Sequence, residues 1–282
     1  MSNQAEMLVQ PVKTAGRAGP SRKFGFTWRD KLNDFVIGAM LPVVVLALWQ
    51  AGADFGLISA QFLPSPLVIA KAFEELLLSG ELLGHLGISL GRAALGFGIG
   101  GGLGLLFGVL VGFSRKAEDM LDPTMQMLRM IPHLAIAPLI ILWFGFGEWS
   151  KVLIIAKGAF FPLYVNTFMG IRSVDNKLFD VARVLEFSRS KQIRQLVVPA
   201  ALPSILLGLR LSLALSWVGL VVAELIGSQA GVGFLINFAK QTSATEVIFV
   251  GVVIFAIVGK LVDSLVRWLE HRLLRWRDSY EG

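Results

Sequence analysis

Cysteine is absent from this 282-residue chain. That excludes disulfides, thiolate metal sites and a Cys nucleophile, and removes Cys-based redox chemistry from the functions to be considered. Histidine is scarce: His85, His133 and His271 stand far apart, with no His-x-x-His or His-Glu-x-x-His spacing, so no metal site is expected. Charge is scarce as well, at 16% of residues against roughly 25% in an ordinary soluble domain. A phosphate-binding loop is also missing. Gly259-Lys260 is followed by Leu261, and Ile254 stands where the first glycine would have to be, so this chain cannot hydrolyse ATP by that route. Intramembrane hydrolysis would need a nucleophile with its base, or two carboxylates at membrane depth; the runs offer Glu224 and Asp263 at different ends, so an enzyme is not expected.

What fills the chain instead is apolar: 55% of residues are hydrophobic and the mean hydropathy is +0.68. About 20 apolar residues cross a bilayer as a helix. About six such runs occur, near 35–51, 88–113, 127–146, 151–170, 204–226 and 246–266. An all-α membrane protein follows, with a basic tail at 1–34, a membrane domain over 35–266 and a basic tail at 267–282. The first apolar run begins too late for a compact secretory signal and reads as a retained anchor.

The net charge of +6 does not point to nucleic acid, because the basic residues recur in short clusters between apolar runs. With the N-terminus in the cytoplasm, 18 of the 26 Lys and Arg fall on inner segments and only Lys71, Lys151 and Lys240 on outer ones. This asymmetry predicts both termini inside.

Within the second run, Gly96, Gly100, Gly104, Gly108 and Gly112 recur every four residues and form a smooth ridge for close helix packing. After the first run, Ser65 can cap a helix with Pro66 in its first turn. Leu67, Ala70, Phe73 and Leu77 then predict an amphipathic helix at about 66–79, lying at the outer surface. Polar groups inside the runs are few. Lys157 either snorkels outward or neutralises Glu224 at similar depth, or else Lys157 and Glu224, with Asn166 and the Trp143 and Trp217 region, line the path of an anionic cargo. Asn166, Ser212 and Ser216 are alternatively hydrogen bonds between helices.

Between the fourth and fifth runs lies an inner loop, about 171–203. Val181, Val184, Leu185 and Ser188 share one helical face, and Ile193, Leu196 and Val197 repeat the pattern, predicting two short amphipathic helices that end at Pro199. Spacing alone leaves two readings open: an element resting on anionic lipid, or one buried in a partner's groove.

This loop resembles the signature of binding-protein-dependent ABC-importer permeases, Glu-Ala-Ala, three residues, Gly, nine residues, Ile, any residue, Leu-Pro. Asp180, Ala182, Leu196, Val198 and Pro199 occupy matching places; Val181 replaces the first Ala and Glu186 the Gly. The likeness extends over about residues 60–275 and is greatest to permeases for aliphatic sulfonates, taurine and nitrate. Further landmarks are Leu63-Pro64-Ser65-Pro66, Ile131-Pro132-His133 through Pro138, Leu142-Trp143-Phe144-Gly145-Phe146-Gly147, and Ala223-Glu224 followed by Gly227, Gly231 and Gly233. The resemblance implies a type I importer permease in a bacterial inner membrane, with no cofactor of its own. It implies four kinds of neighbour: the bilayer, a second permease copy, a dimeric ATPase holding ATP and Mg, and an external solute-binding protein. It also implies that Asp180, Val181, Ala182, Leu185, Glu186, Phe187, Ser188, Leu196 and Pro199 contact the ATPase. An ion-coupled secondary carrier is the alternative class; it would need an internal repeat and mid-membrane coupling carboxylates, and neither is evident.

Overall fold

A computed structural model describes residues 28–274, so most of the N-terminal tail and the last eight residues lie outside the described residues. All described elements are helical: α1 Trp28–Asp54, α2 Pro66–Leu78, α3 Glu81–Phe113, α4 Arg115–Arg129, α5 His133–Phe144, α6 Glu148–Arg172, α7 Asn176–Val184, α8 Arg189–Gln192, α9 Val198–Gly227, α10 Val232–Gln241 and α11 Thr245–Leu273. Five helical stretches among the described residues are long and apolar enough to cross a membrane. A sixth span is counted if the bent pair α4 and α5 is taken as one. Among the described residues, those up to Trp49, most of α1, form one unit and those from Gln50 form a second.

In the second unit, α6 lies between α3 and α9. The α3 glycines face α6. A Cβ on Gly96 would come within 2.5 Å of the Ile155 side chain, and Cβ atoms on Gly100 and Gly104 would strike the backbone of Ala156 and Phe160. Gly108 and Gly112 meet Thr167 and Ile171 in the same way. On the other flank, Gly158 of α6 abuts the Leu215 backbone and Gly208 of α9 abuts Asn166 and the Pro162 carbonyl. Ser212 Oγ crosses the same seam, donating to the Ala159 carbonyl at 2.6 Å. Asn166 and Ser216 instead donate within their own helices, to the carbonyls of Pro162 and Ser212 four residues earlier, so they are not the interhelical bonds that their polarity suggests.

Three further expectations need correction. The third apolar run is not one straight helix: α4 and α5 meet at 99° around Met130–Pro132. Pro132 lacks the N–H that would continue α4, and Ile131 before it is steered out of helical conformation. The α2 helix starts where Ser65 and Pro66 predict, with Ser65 Oγ accepting from Val68 N at 3.4 Å. Its packed face, however, is Ile69, Ala72, Phe73 and Leu76 against the core around Leu82, while Leu67 and Ala70 are exposed. Finally, the second short helix of the inner loop does not end at Pro199. From α8 the chain passes through a π turn, Ile193–Val197, straight into α9. The wider turn lets Val198 N bond back to the Ile193 carbonyl, so the helix continues past a proline.

Candidate functional site

The elbow between α7 and α8 is built by a reversal at Glu186. Asp175 caps α7 by accepting from Lys177 N at 2.9 Å, and the helix closes with two crossed bonds, Phe187 N to the Ala182 carbonyl at 2.9 Å and Glu186 N to the Arg183 carbonyl at 3.0 Å. This is a Schellman ending, whose pivot must be left-handed. Glu186 occupies it with φ +51°, so the turn that a glycine would serve forms here with a glutamate. Ser188 Oγ then caps α8 through Lys191 N, and Lys191 Nζ sits 4.0 Å above the Phe187 ring.

Burial divides the elbow's residues sharply. Ala182 is 3% exposed and Leu196, Pro199 and Phe187 are partly covered. Val181, Val184 and Leu185 project outward, Val184 with 83% of its surface open. Asp180 is exposed and pairs with Arg183. The elbow thus offers an apolar knob ringed by charge.

A second feature is a cleft of about 550 Å³ where α4 breaks into α5. Arg129, Ile131, His133, Lys157, Asn166, Leu211 and Leu215 are among its lining residues. Lys157 Nζ donates to the carbonyl of Ile131 at 2.8 Å, taking up a backbone acceptor freed by the break. The α4 segment climbs α6 antiparallel: Glu118 pairs with Arg172, Tyr164 donates to Asp122 at 2.7 Å, and Lys157 reaches Ile131. The break therefore lies at the depth of Lys157, roughly 13 Å along α6 from Glu148 at 1.5 Å per residue. Irregular backbone at such depth is tolerated where it is covered by protein or lines a cavity. The His133 ring sits in a slot made by Gly158 and Gly219, where a Cβ would approach it to 3.1 and 2.7 Å, and its Nε2 is buried with no hydrogen-bond partner among the described residues.

Glu224 does not pair with Lys157. It is 1% exposed and belongs to a third feature that sequence reasoning missed, centred on Arg92. The Arg92 guanidinium, 5% exposed as a residue, bonds Glu224 at 2.8 Å and grips Glu148 with two bonds of 2.6 Å. It also donates to Ser228 Oγ and to the Ala230 carbonyl. Ser89 donates to Glu224 at 2.8 Å and accepts from Val232 N, while Glu224 accepts from Gly233 N at 2.8 Å. A carboxylate therefore lies on the positive N-terminal end of α10. Gly231 and Gly233 make the approach possible, because a Cβ on either would run into Glu224. Lys151 adds a second cation on Glu148 at 2.9 Å. The signal was available: Ser89, Arg92, Gly96 and Gly100 recur at helical spacing, so Arg92 shares the ridge that faces α6.

Of the residues proposed for a cargo path, the structure thus brings Lys157 and Asn166 together in one cleft and leaves the others elsewhere. Trp143 is 66% exposed on α5, outside the cleft lining. Trp217 bonds the Phe255 carbonyl at 3.1 Å and meets its ring edge-on, which fastens α9 to α11.

Comparison with known proteins agrees with this architecture. Residues 100–275 match the family described as binding-protein-dependent transport system inner membrane component. A Bacillus subtilis (strain 168) permease protein, SsuC, named for aliphatic sulfonates transport, is 61% identical over 245 residues, covering 87% of this chain and 89% of that protein. Its Escherichia coli (strain K12) namesake is 44% identical, covering 85% and 91%. The taurine transport system permease protein TauC of Escherichia coli (strain K12) is 35% identical, covering 90% and 94%. With its apolar helices and its signature elbow, the chain belongs to the binding-protein-dependent inner membrane component family and is a multi-pass permease subunit of an ABC importer.

Proposed function

We propose that this permease carries small organic anions inward, aliphatic sulfonates foremost, and that the α7–α8 elbow is its docking point for a separate ATPase subunit that binds ATP and Mg. Two permease copies, a dimeric ATPase and an external solute-binding protein complete the assembly. Both termini and the elbow face the cytoplasm, as the distribution of Lys and Arg predicts. The observation that carries the docking assignment is the exposed apolar knob of Val181, Val184 and Leu185 on a rigid, doubly capped turn. Apolar side chains at helical spacing on a short helix suit a protein groove. The turn's fixed geometry suits force transmission: ATP closes the motor, the elbow moves with it, and the membrane helices exchange between two arrangements. A coupled carrier is disfavoured by Glu224, whose carboxylate is fully bound by Arg92, Ser89 and Gly233 rather than held free for a coupling ion.

The cargo assignment rests on relatives named for sulfonates at 61% and 44% identity. Nitrate or taurine in the same role is the nearest alternative. The test is purification of the tagged full chain from its own membranes. A nucleotide-hydrolysing subunit retained at stoichiometric level is the expected result; its absence under conditions that keep the permease folded would refute the assignment.

A further inference from the structure

The cleft at the α4–α5 break has two unlike walls. On one side, Arg129 and Lys157 are the only formal charges among the lining residues, and no carboxylate lines it or pairs with either cation among the described residues. An ammonium group has three donors, and Lys157 spends one on the Ile131 carbonyl at 2.8 Å, which holds the amine at the break with two donors to spare. On the other side, Leu211, Ala214, Leu215 and Val218 recur at the spacing of one helical face of α9. Phe161 of α6, one turn on from Lys157, adds an aromatic surface to the cleft. Unneutralised positive charge next to an apolar wall, in a volume of about 550 Å³, matches an anion that carries a hydrocarbon tail. It does not match a bare inorganic anion, which would leave the α9 face without a partner.

We infer that this cleft is a membrane-embedded binding site for an alkanesulfonate, with the sulfonate on Lys157 and Arg129 and the alkyl chain against Leu211, Ala214 and Leu215 of α9. The inference rests on the reading of the chain as an organic-anion permease, and extends it by giving the membrane subunit a cargo site of its own. Selection by tail length is then exercised at the α4–α5 break.

Uptake by the complete importer in proteoliposomes tests this, with butanesulfonate, methanesulfonate and nitrate as probes. Lys157→Gln lowers butanesulfonate uptake about tenfold or more, the loss of one charge-assisted contact, while Lys157→Arg keeps most of it. Retention of the ATPase subunit is measured alongside uptake in both variants, so that loss of assembly is told apart from loss of the cargo contact. Ala214→Phe shortens the apolar wall and shifts preference from butanesulfonate toward methanesulfonate about tenfold, with the charge untouched. Normal butanesulfonate uptake by Lys157→Gln overturns the inference. Should that variant fail to accumulate, an unchanged tail-length preference in Ala214→Phe overturns it instead. In either case a retained ATPase subunit leaves the importer reading standing, whereas a subunit lost from the unaltered chain removes that reading first.

Discussion

Glu186 and Arg92 show how much single residues decide in this chain. A non-glycine residue in the left-handed region is strained by about 1–2 kcal/mol. Glu186→Gly relieves that strain but adds about 0.5–1 kcal/mol of backbone entropy to be lost on folding, so a small net stabilisation is expected. Because the reversal already exists at φ +51°, the substitution should leave ATPase stimulation nearly unchanged, whereas Glu186→Ile, β-branched at the same φ, should reduce it; ATP hydrolysis in proteoliposomes distinguishes them. Arg92 lies deeper. Arg92→Leu leaves the Glu224 carboxylate buried without its cation, which costs about 3–5 kcal/mol. Thermal unfolding in detergent should show a large loss for Arg92→Leu and partial recovery when Glu224→Gln is added. Glu224 was visible in the sequence as an intramembrane acid. Its partner was not, because similar depth pointed to Lys157, and only the packing of α3 on α6 and α9 brings Arg92 to it.

At the scale of elements, the α3–α6 seam depends on glycine because backbone meets backbone there. Gly100→Ala would drive its methyl into the Ala156 backbone, and overpacking of that kind costs about 1–3 kcal/mol. Gly102→Ala meets open space and serves as the matched control. Melting of the two purified variants should separate by several degrees, with Gly102→Ala close to the unaltered chain. A four-residue glycine repeat is plain in sequence, since it needs only helical periodicity to be seen. The run across 127–146 was plain as apolar but not as broken. Hydropathy averages over a window and does not register that Pro132 turns the chain, nor that Lys157, 26 residues after Ile131, supplies the donor for the Ile131 carbonyl left at the break. The register of α2 was missed for a related reason. Its charged face is clear, but which apolar residues touch the bundle is set by the helices beside it.

For the whole molecule, cysteine's absence makes topology easy to measure, because any introduced thiol is the only one. With both termini inside, a cysteine at Ser190 is closed to an impermeant maleimide in intact cells and one at Gln61 is open; the reverse pattern would invert the assembly. Composition, run length and charge asymmetry made membrane residence and the span number legible, and the signature made the elbow legible. The cleft at the α4–α5 break was half legible, through Lys157 and Asn166 alone, since its apolar wall belongs to α9 and forms only when α9 packs on α6.

The structure also changes how docking should be probed. Ala182 is the signature's small residue, but it is buried within the chain, so a bulky charge there would disturb the elbow itself. Val184 and Leu185 are exposed, and a charge on them alters the surface alone. The decisive measurement is retention of the ATPase subunit by the full chain carrying Val184→Asp and Leu185→Asp. Loss of two apolar anchors predicts a fall of about tenfold or more at unchanged permease level and melting temperature. Full retention of an active, coupled ATPase by that variant would contradict the account.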